Sequence, residues 1–113
     1  MTNKIVVLLT CGSAAEAQRI ARAVVDARLA ACANILQVPV QSVYRWKGKV
    51  ETAKETLLVI KSARRRFPAL ERTIKRLHGY EAPEIIALPI ATGSRDYLAW
   101  IADSVGAHQR IDS

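Results

Sequence analysis

The sequence predicts an α+β chain of the split βαβ type: a four-stranded antiparallel sheet with two helices on one face and a third helix appended at the C-terminal end. Three observations carry this. The apolar runs 5–9, 57–60 and 85–90 have strand length and no helical period. Two segments with apolar residues at helical spacing, 17–25 and 70–77, fall between them. The order along the chain is strand, helix, strand, strand, helix, strand, helix.

Residues 4–10 are β-branched and leucine-rich, and Cys11-Gly12-Ser13 ends them, which predicts a buried first strand. Ser13 followed by Glu16 is a capping-box pattern, and Ala17, Ile20, Ala21, Val24 and Val25 continue it as a helix to about residue 28. Residues 30–38 are apolar apart from Asn34, and Pro39 marks an edge, bulge or break before 40–46 resumes in alternation, with Tyr44 and Trp46 on one face. Lys47-Gly48-Lys49 predicts a hairpin turn, and 50–61 returns as its second arm. A second helix over 67–77 carries Leu70, Ile74 and Leu77 on one stripe, with Gly79 as the left-handed residue that stops it and His78 on its last turn. Pro83 biases Ala82 toward extended backbone, so Glu84 stands at the entrance of the strand that runs to residue 90. Ser94 can cap a last helix over 97–105, and 106–113 reads as a polar tail.

At 113 residues the chain fits one domain spanning 1–113. Its net charge of +7 is concentrated partly in Arg64, Arg65, Arg66, Arg72, Lys75 and Arg76, which is better explained as a solvated helix face than as a nucleic-acid surface. No run approaches the length of a membrane span, and the first apolar run is shorter than a signal peptide's hydrophobic region. A cytoplasmic protein with no membrane or nucleic-acid partner is the expectation. Cys11 and Cys32 are expected to be free thiols.

The two hairpin arms are long for so small a domain, and exposed strand ends invite pairing, so their length predicts an oligomer. The run 78–84 is the corner where chemistry gathers. His78 and Glu84 offer a metal an imidazole and a carboxylate, although a histidine ending a helix also serves as a dipole cap. Cys32 is either a core thiol or a soft-metal ligand. Cys11, beside a helix N-terminus, is expected to have a lowered pKa and an exposed sulfur. Neither cysteine has a second cysteine or a histidine at zinc-site spacing, so any metal site must be assembled across elements or between subunits. Lys61 closes an apolar strand and could pair with Glu84 or bind an anion. Tyr44, Trp46, Tyr97 and Trp100 are packing residues by default and interface residues in an oligomer. The sequence has no GxSxG, HExxH, P-loop or GxGxxG, and His108 lies in the tail, so the chain is not expected to be an enzyme.

Six stretches together resemble one family. They are Arg28-Leu29-Ala30-Ala31-Cys32-Ala33-Asn34-Ile35, Ser42-Val43-Tyr44-Arg45-Trp46-Lys47-Gly48, Ile60-Lys61, His78-Gly79-Tyr80-Glu81-Ala82-Pro83-Glu84-Ile85, Leu88-Pro89-Ile90 and Tyr97-Leu98-Ala99-Trp100. In this order they are similar to the CutA divalent-cation tolerance proteins over nearly the whole chain. The resemblance implies a ferredoxin-like subunit in a homotrimer, with hairpins reaching around neighbouring subunits and no obligatory cofactor. It implies a role in tolerance to copper and other divalent metals, with Cu²⁺ or another divalent cation as ligand. Cys32 and His78 match the family positions tied to metal, while Lys61, Tyr80 and Glu84 match polar members of an intersubunit cleft. Leu9 and Thr73 stand where some members carry further cysteines. The likeness of the trimer to PII-type signalling proteins implies a competitor: a sensor of a small anionic metabolite that acts on a partner protein.

Overall fold

The structure, a computed structural model, describes residues 2–106. Its elements are β1 (Lys4–Cys11), α1 (Ala14–Asp26), β2 (Cys32–Ile35), β3 (Val40–Trp46), β4 (Lys49–Ala63), α2 (Phe67–Leu77), β5 (Ile85–Pro89) and α3 (Arg95–Ser104), with Arg64–Arg66 as a single 3-10 turn. The sheet order is β2-β4-β1-β5, with every neighbouring pair antiparallel. Because β4 is inserted between β1 and β2, the sheet is the split βαβ arrangement of the ferredoxin-like fold, with α3 added. Beyond Gly106 the expected polar tail, including His108, lies outside the described residues.

Alternation along the strands separates two faces. Ile5, Val7 and Leu9 of β1 and Leu58 and Ile60 of β4 meet Ile20 and Val24 of α1 and Leu70 and Ile74 of α2 in one buried cluster. Burying each such side chain contributes about 1.5–3 kcal/mol, so this cluster holds the helices to the sheet. On the other face Val6 sits opposite Leu88, and Leu8 opposite Ile86 and Val59. Among the described residues one end of this face is covered, where Ile101 and Val105 pack on Ala31 and Ala63. Ile86 and Leu88 are each 48 % exposed.

Both helix ends near the start of β2 are fastened in ways the sequence did not announce. Helix α1 stops at Asp26, two residues short of the expected end, and the left-handed residue beyond it is Arg28 at φ 59 rather than a glycine. Leu29 N–H donates to Val24 O at 2.9 Å and Arg28 N–H to Val25 O at 3.0 Å, the paired bonds of a Schellman ending. The Arg28 guanidinium donates to Ser104 O at 3.1 Å, and Arg66 Nε to Val105 O at 2.9 Å. Part of the basic run thus answers the carbonyl end of α3, where positive charge is favoured.

The hairpin reaches the expected length, although β2 shrinks to four residues of the apolar stretch. Lys47 (φ 51) and Gly48 (φ 83) form its two-residue turn, both in the left-handed region that matches strand twist. Residues 49–55 of β4 pair with β3 alone, beyond the reach of β1 and β2. They draw the chain out to 50 Å along one axis against 28 and 25 Å along the others.

Candidate functional site

Helix α2 ends because His78 turns extended (φ −87, ψ 144), with its N–H still donating to Ile74 O at 2.9 Å. Gly79 does not have positive φ, which corrects its expected role as a left-handed stop. It is needed for space instead: a Cβ there would lie 3.1 Å from Glu16 Oε2. That carboxylate ties two loops together, with Oε1 accepting from Gly12 N–H at 3.1 Å and Oε2 from Gly79 N–H at 2.8 Å. The capping box is therefore only half formed. Ser13 Oγ accepts from Glu16 N–H at 3.1 Å, but the glutamate reaches across to the corner.

The His78 imidazole is buried in this latch. Its Nε2 lies 2.7 Å from Thr10 O, which can only accept, and its Nδ1 accepts from Tyr80 N–H at 3.0 Å. These bonds define the Nε2–H tautomer and leave neither nitrogen a free lone pair. Donor atoms of Cys11, Glu16 and His78 lie within 4.8 Å of one another. Cys11 is fully buried, and burial first, then the charges of Glu16 and Glu55, push its thiol up to about 12, against a smaller opposing effect of Arg19. The expectation of an exposed, acidic Cys11 is corrected: the chain's own packing outweighs the helix N-terminus. A metal requires thiolate and imidazole lone pairs, and this trio offers neither without breaking the latch.

On the opposite side of the same strand end, between hairpin and corner, lies an open-sided groove of about 650 Å³. Tyr44, Trp46 and Glu55 line it from the hairpin, and Tyr80, Glu81 and Glu84 from the corner. Glu55 is 7 % exposed. Burial first, then the neighbouring Glu55 carboxylate, raise the Tyr80 phenol well above its ordinary range. At the mouth Lys47 Nζ stands 3.8 Å from Glu81 Oε1 and 5.7 Å from the centroid of the Trp46 ring.

The expected site residues are distributed rather than gathered. His78 is in the latch, Tyr80 and Glu84 are on the groove, and Cys32 is on β2, at the opposite edge of the sheet from β5. Cys32 is half-buried, with Sγ 3.6 Å from the Tyr97 hydroxyl, a hydrogen bond that first among its causes raises the Tyr97 phenol. Lys61 Nζ donates to Asn34 Oδ1, and among the described residues no ion pair joins it to Glu84. Tyr44, Trp46 and Trp100 are all exposed in the single chain, Trp100 with its ring 5.3 Å from that of Tyr97. Sequence reasoning missed Glu16 and Glu55 as site residues. Glu16 carried a signal in the capping box, but nothing in the sequence marked Glu55.

The CutA1 divalent ion tolerance protein model matches residues 5–104. The chain belongs to the CutA1 divalent ion tolerance family. The CutA divalent-cation tolerance protein of Thermus thermophilus is 49 % identical over 102 residues, 89 % of this chain and 97 % of that protein. Mouse CutA is 44 % identical over 93 residues, 82 % of this chain but 52 % of its own length, so this chain spans about half of that relative. The solved Thermus thermophilus CutA1 superimposes with a TM-score of 0.88 at 47 % identity, covering 91 % of this chain and 99 % of that one. An Archaeoglobus fulgidus CutA, named a periplasmic divalent cation tolerance protein, gives 0.86 at 35 % identity, covering 90 % and 98 %. Among the described residues of this chain no helix is long and apolar enough to cross a membrane.

Proposed function

We propose that this CutA-family chain is a cytoplasmic homotrimeric binding protein, not an enzyme, that holds a divalent cation such as Cu²⁺ in the cleft between subunits. The observation that carries the assembly is the half-covered sheet face, where Ile86 and Leu88 are each 48 % exposed beside Val6, Leu8 and Val59, together with a hairpin that outruns its own body. A second copy would cover the apolar face and pair or shield the overhanging arms. In a closed ring the β2 edge of one copy meets the β5 edge of the next. Cys32 and Glu84 stand on those two edges, so a neighbour supplies what one chain cannot: a thiol and a carboxylate at one boundary. His78 joins them only by giving up the hydrogen bond to Tyr80 N–H or to Thr10 O. A carboxylate with a thiolate suits borderline to soft divalent ions. Free Cys11 and Cys32 suit a reducing compartment.

Sedimentation and Cu²⁺ titration test both parts. A particle of three chain masses is expected, with affinity falling at least roughly tenfold in Glu84→Gln and in Cys32→Ser. A stable single chain, or isotherms identical to wild type, would remove the cleft or the ligand in question. The PII-like alternative, a sensor of a small anionic metabolite, is favoured by one observation: Lys61 donates to Asn34 and, among the described residues, forms no ion pair with a carboxylate, so its charge is open to an anion. Thermal-shift screening of metals against anionic metabolites separates the two, because only a ligand of the folded state raises its stability.

A further inference from the structure

We propose that the groove between hairpin and corner binds an organic cation, an alkylamine bearing one or more ammonium groups, with Glu55 as its anionic floor and Tyr44, Trp46 and Tyr80 as its walls. Glu55 is the residue that calls for a partner. It is 7 % exposed and lines the groove, and the Tyr80 ring lines the same groove beside it. Among the described residues no lysine, arginine or histidine forms an ion pair with it, although the chain as a whole carries a net charge of +7. A carboxylate buried without a cation loses hydration that nothing replaces, and a cationic ligand compensates that loss.

The walls fix what kind of cation. Aromatic faces attract ammonium groups through the ring quadrupole, most strongly where water is excluded. The chain demonstrates the contact at the groove mouth, where the Lys47 ammonium takes a position 5.7 Å from the Trp46 centroid and 3.8 Å from Glu81. A metal ion fits less well. Metal donors must converge, and the trio of ligand atoms that does so among the described residues belongs to Cys11, Glu16 and His78, with no groove glutamate in it. The groove's carboxylates run instead from buried Glu55 to exposed Glu84 and Glu81, which matches charges spaced along an aliphatic stem. A volume of about 650 Å³ is ample for such a molecule. The floor of the groove is distinct from the metal site proposed between subunits, because Glu55 takes no part in that site, although Glu84 stands at the edge of both.

The test is calorimetric titration of the intact protein with spermidine, putrescine and tetramethylammonium in chelator-treated buffer, alongside Trp46 fluorescence in a Trp100→Phe background. Binding is expected for all three, with spermidine on the order of tenfold tighter than putrescine for one added charge contact. Glu55→Gln keeps the side-chain volume and removes the charge, and is expected to weaken spermidine about thirtyfold or more. Tyr44→Leu, on the exposed hairpin, keeps an apolar wall without the π face and is expected to weaken it about fivefold. An unchanged Cu²⁺ isotherm in Glu55→Gln would show that the two sites are separate. The proposal is overturned if no amine gives heat or alters Trp46, if Glu55→Gln binds spermidine as wild type does, or if Glu55-dependent Mn²⁺ binding appears instead. It is also overturned if Glu55→Gln dissociates an oligomer that wild type maintains, since a second copy's lysine or arginine would then be the cation.

Discussion

The end of β1 presents two polar regions built to opposite specifications. Cys11 points into the latch on the helix side, and Thr10 lines the groove on the other. In the latch the carboxylate and the imidazole are both satisfied: Glu16 takes two backbone N–H groups, and His78 spends one nitrogen on Thr10 O and the other on Tyr80 N–H. In the groove Glu55 is as deeply buried as His78, yet among the described residues no ion pair holds it. Satisfied polar groups fix a shape, and that is what the latch contributes. The latch therefore holds the corner at a set position, and the corner's outward residues Tyr80 and Glu84 meet the hairpin across a groove of defined width. The His78 imidazole, which the sequence offers as a metal ligand, has both nitrogens engaged in holding the corner in this chain.

Substitutions can sharpen this contrast, and the largest effect is expected at His78. His78→Ala orphans Thr10 O and Tyr80 N–H and leaves a cavity, so stability should fall by about 3 kcal/mol in urea denaturation at fixed protein concentration. Glu55→Gln should change it by less than about 1 kcal/mol or raise it, because only charge is removed. A His78→Ala protein of wild-type stability would mean the latch does not hold the corner. Glu16→Ala should cost about 2 kcal/mol by the same assay, since two charge-assisted bonds to Gly12 and Gly79 are lost together. Gly79→Ala comes next at about 1 kcal/mol. Its new methyl meets the Glu16 carboxylate at 3.1 Å, and that side chain can yield by a few tenths of an ångström only by lengthening its bond to Gly79 N–H.

The smallest effect at neutral pH is predicted for Cys11, and it grows only in alkali. Its folded pKa lies above the unfolded value, so the protonated thiol contributes stability fully below about pH 9 and loses it progressively as pH rises toward 12. The raised Tyr80 phenol acts in the same direction at higher pH. Stability measured from pH 7 to 11 should fall above pH 9, and less steeply in Cys11→Ala; equal slopes would remove the thiol as a cause. At pH 8 a thiol reagent should label half-buried Cys32 in the native protein and reach Cys11 only after unfolding.

Several of these features were legible from residues alone. The apolar period of Leu70, Ile74 and Leu77 set α2 at Phe67–Leu77, and the alternation from Val40 with Lys47-Gly48 set the hairpin and its turn. Periodicity and turn chemistry are local properties, so a window of sequence contains them. Arg28 as the left-handed residue after α1, with its guanidinium on Ser104 O, was not legible, because a distant helix end lies behind that choice.

The sequence by itself determined the strand and helix order, the overlong hairpin and the crowding of functional residue types between His78 and Glu84. Only the tertiary structure decided what those residues do. Burial, not position beside a helix end, keeps Cys11 a thiol, and contacts 63 and 68 residues apart in the chain lock Gly79 to Glu16 and His78 to Thr10. The physical reason is that a side chain's protonation, free lone pairs and access to solvent are set by whichever atoms surround it, and here most of those arrive from other elements of the fold.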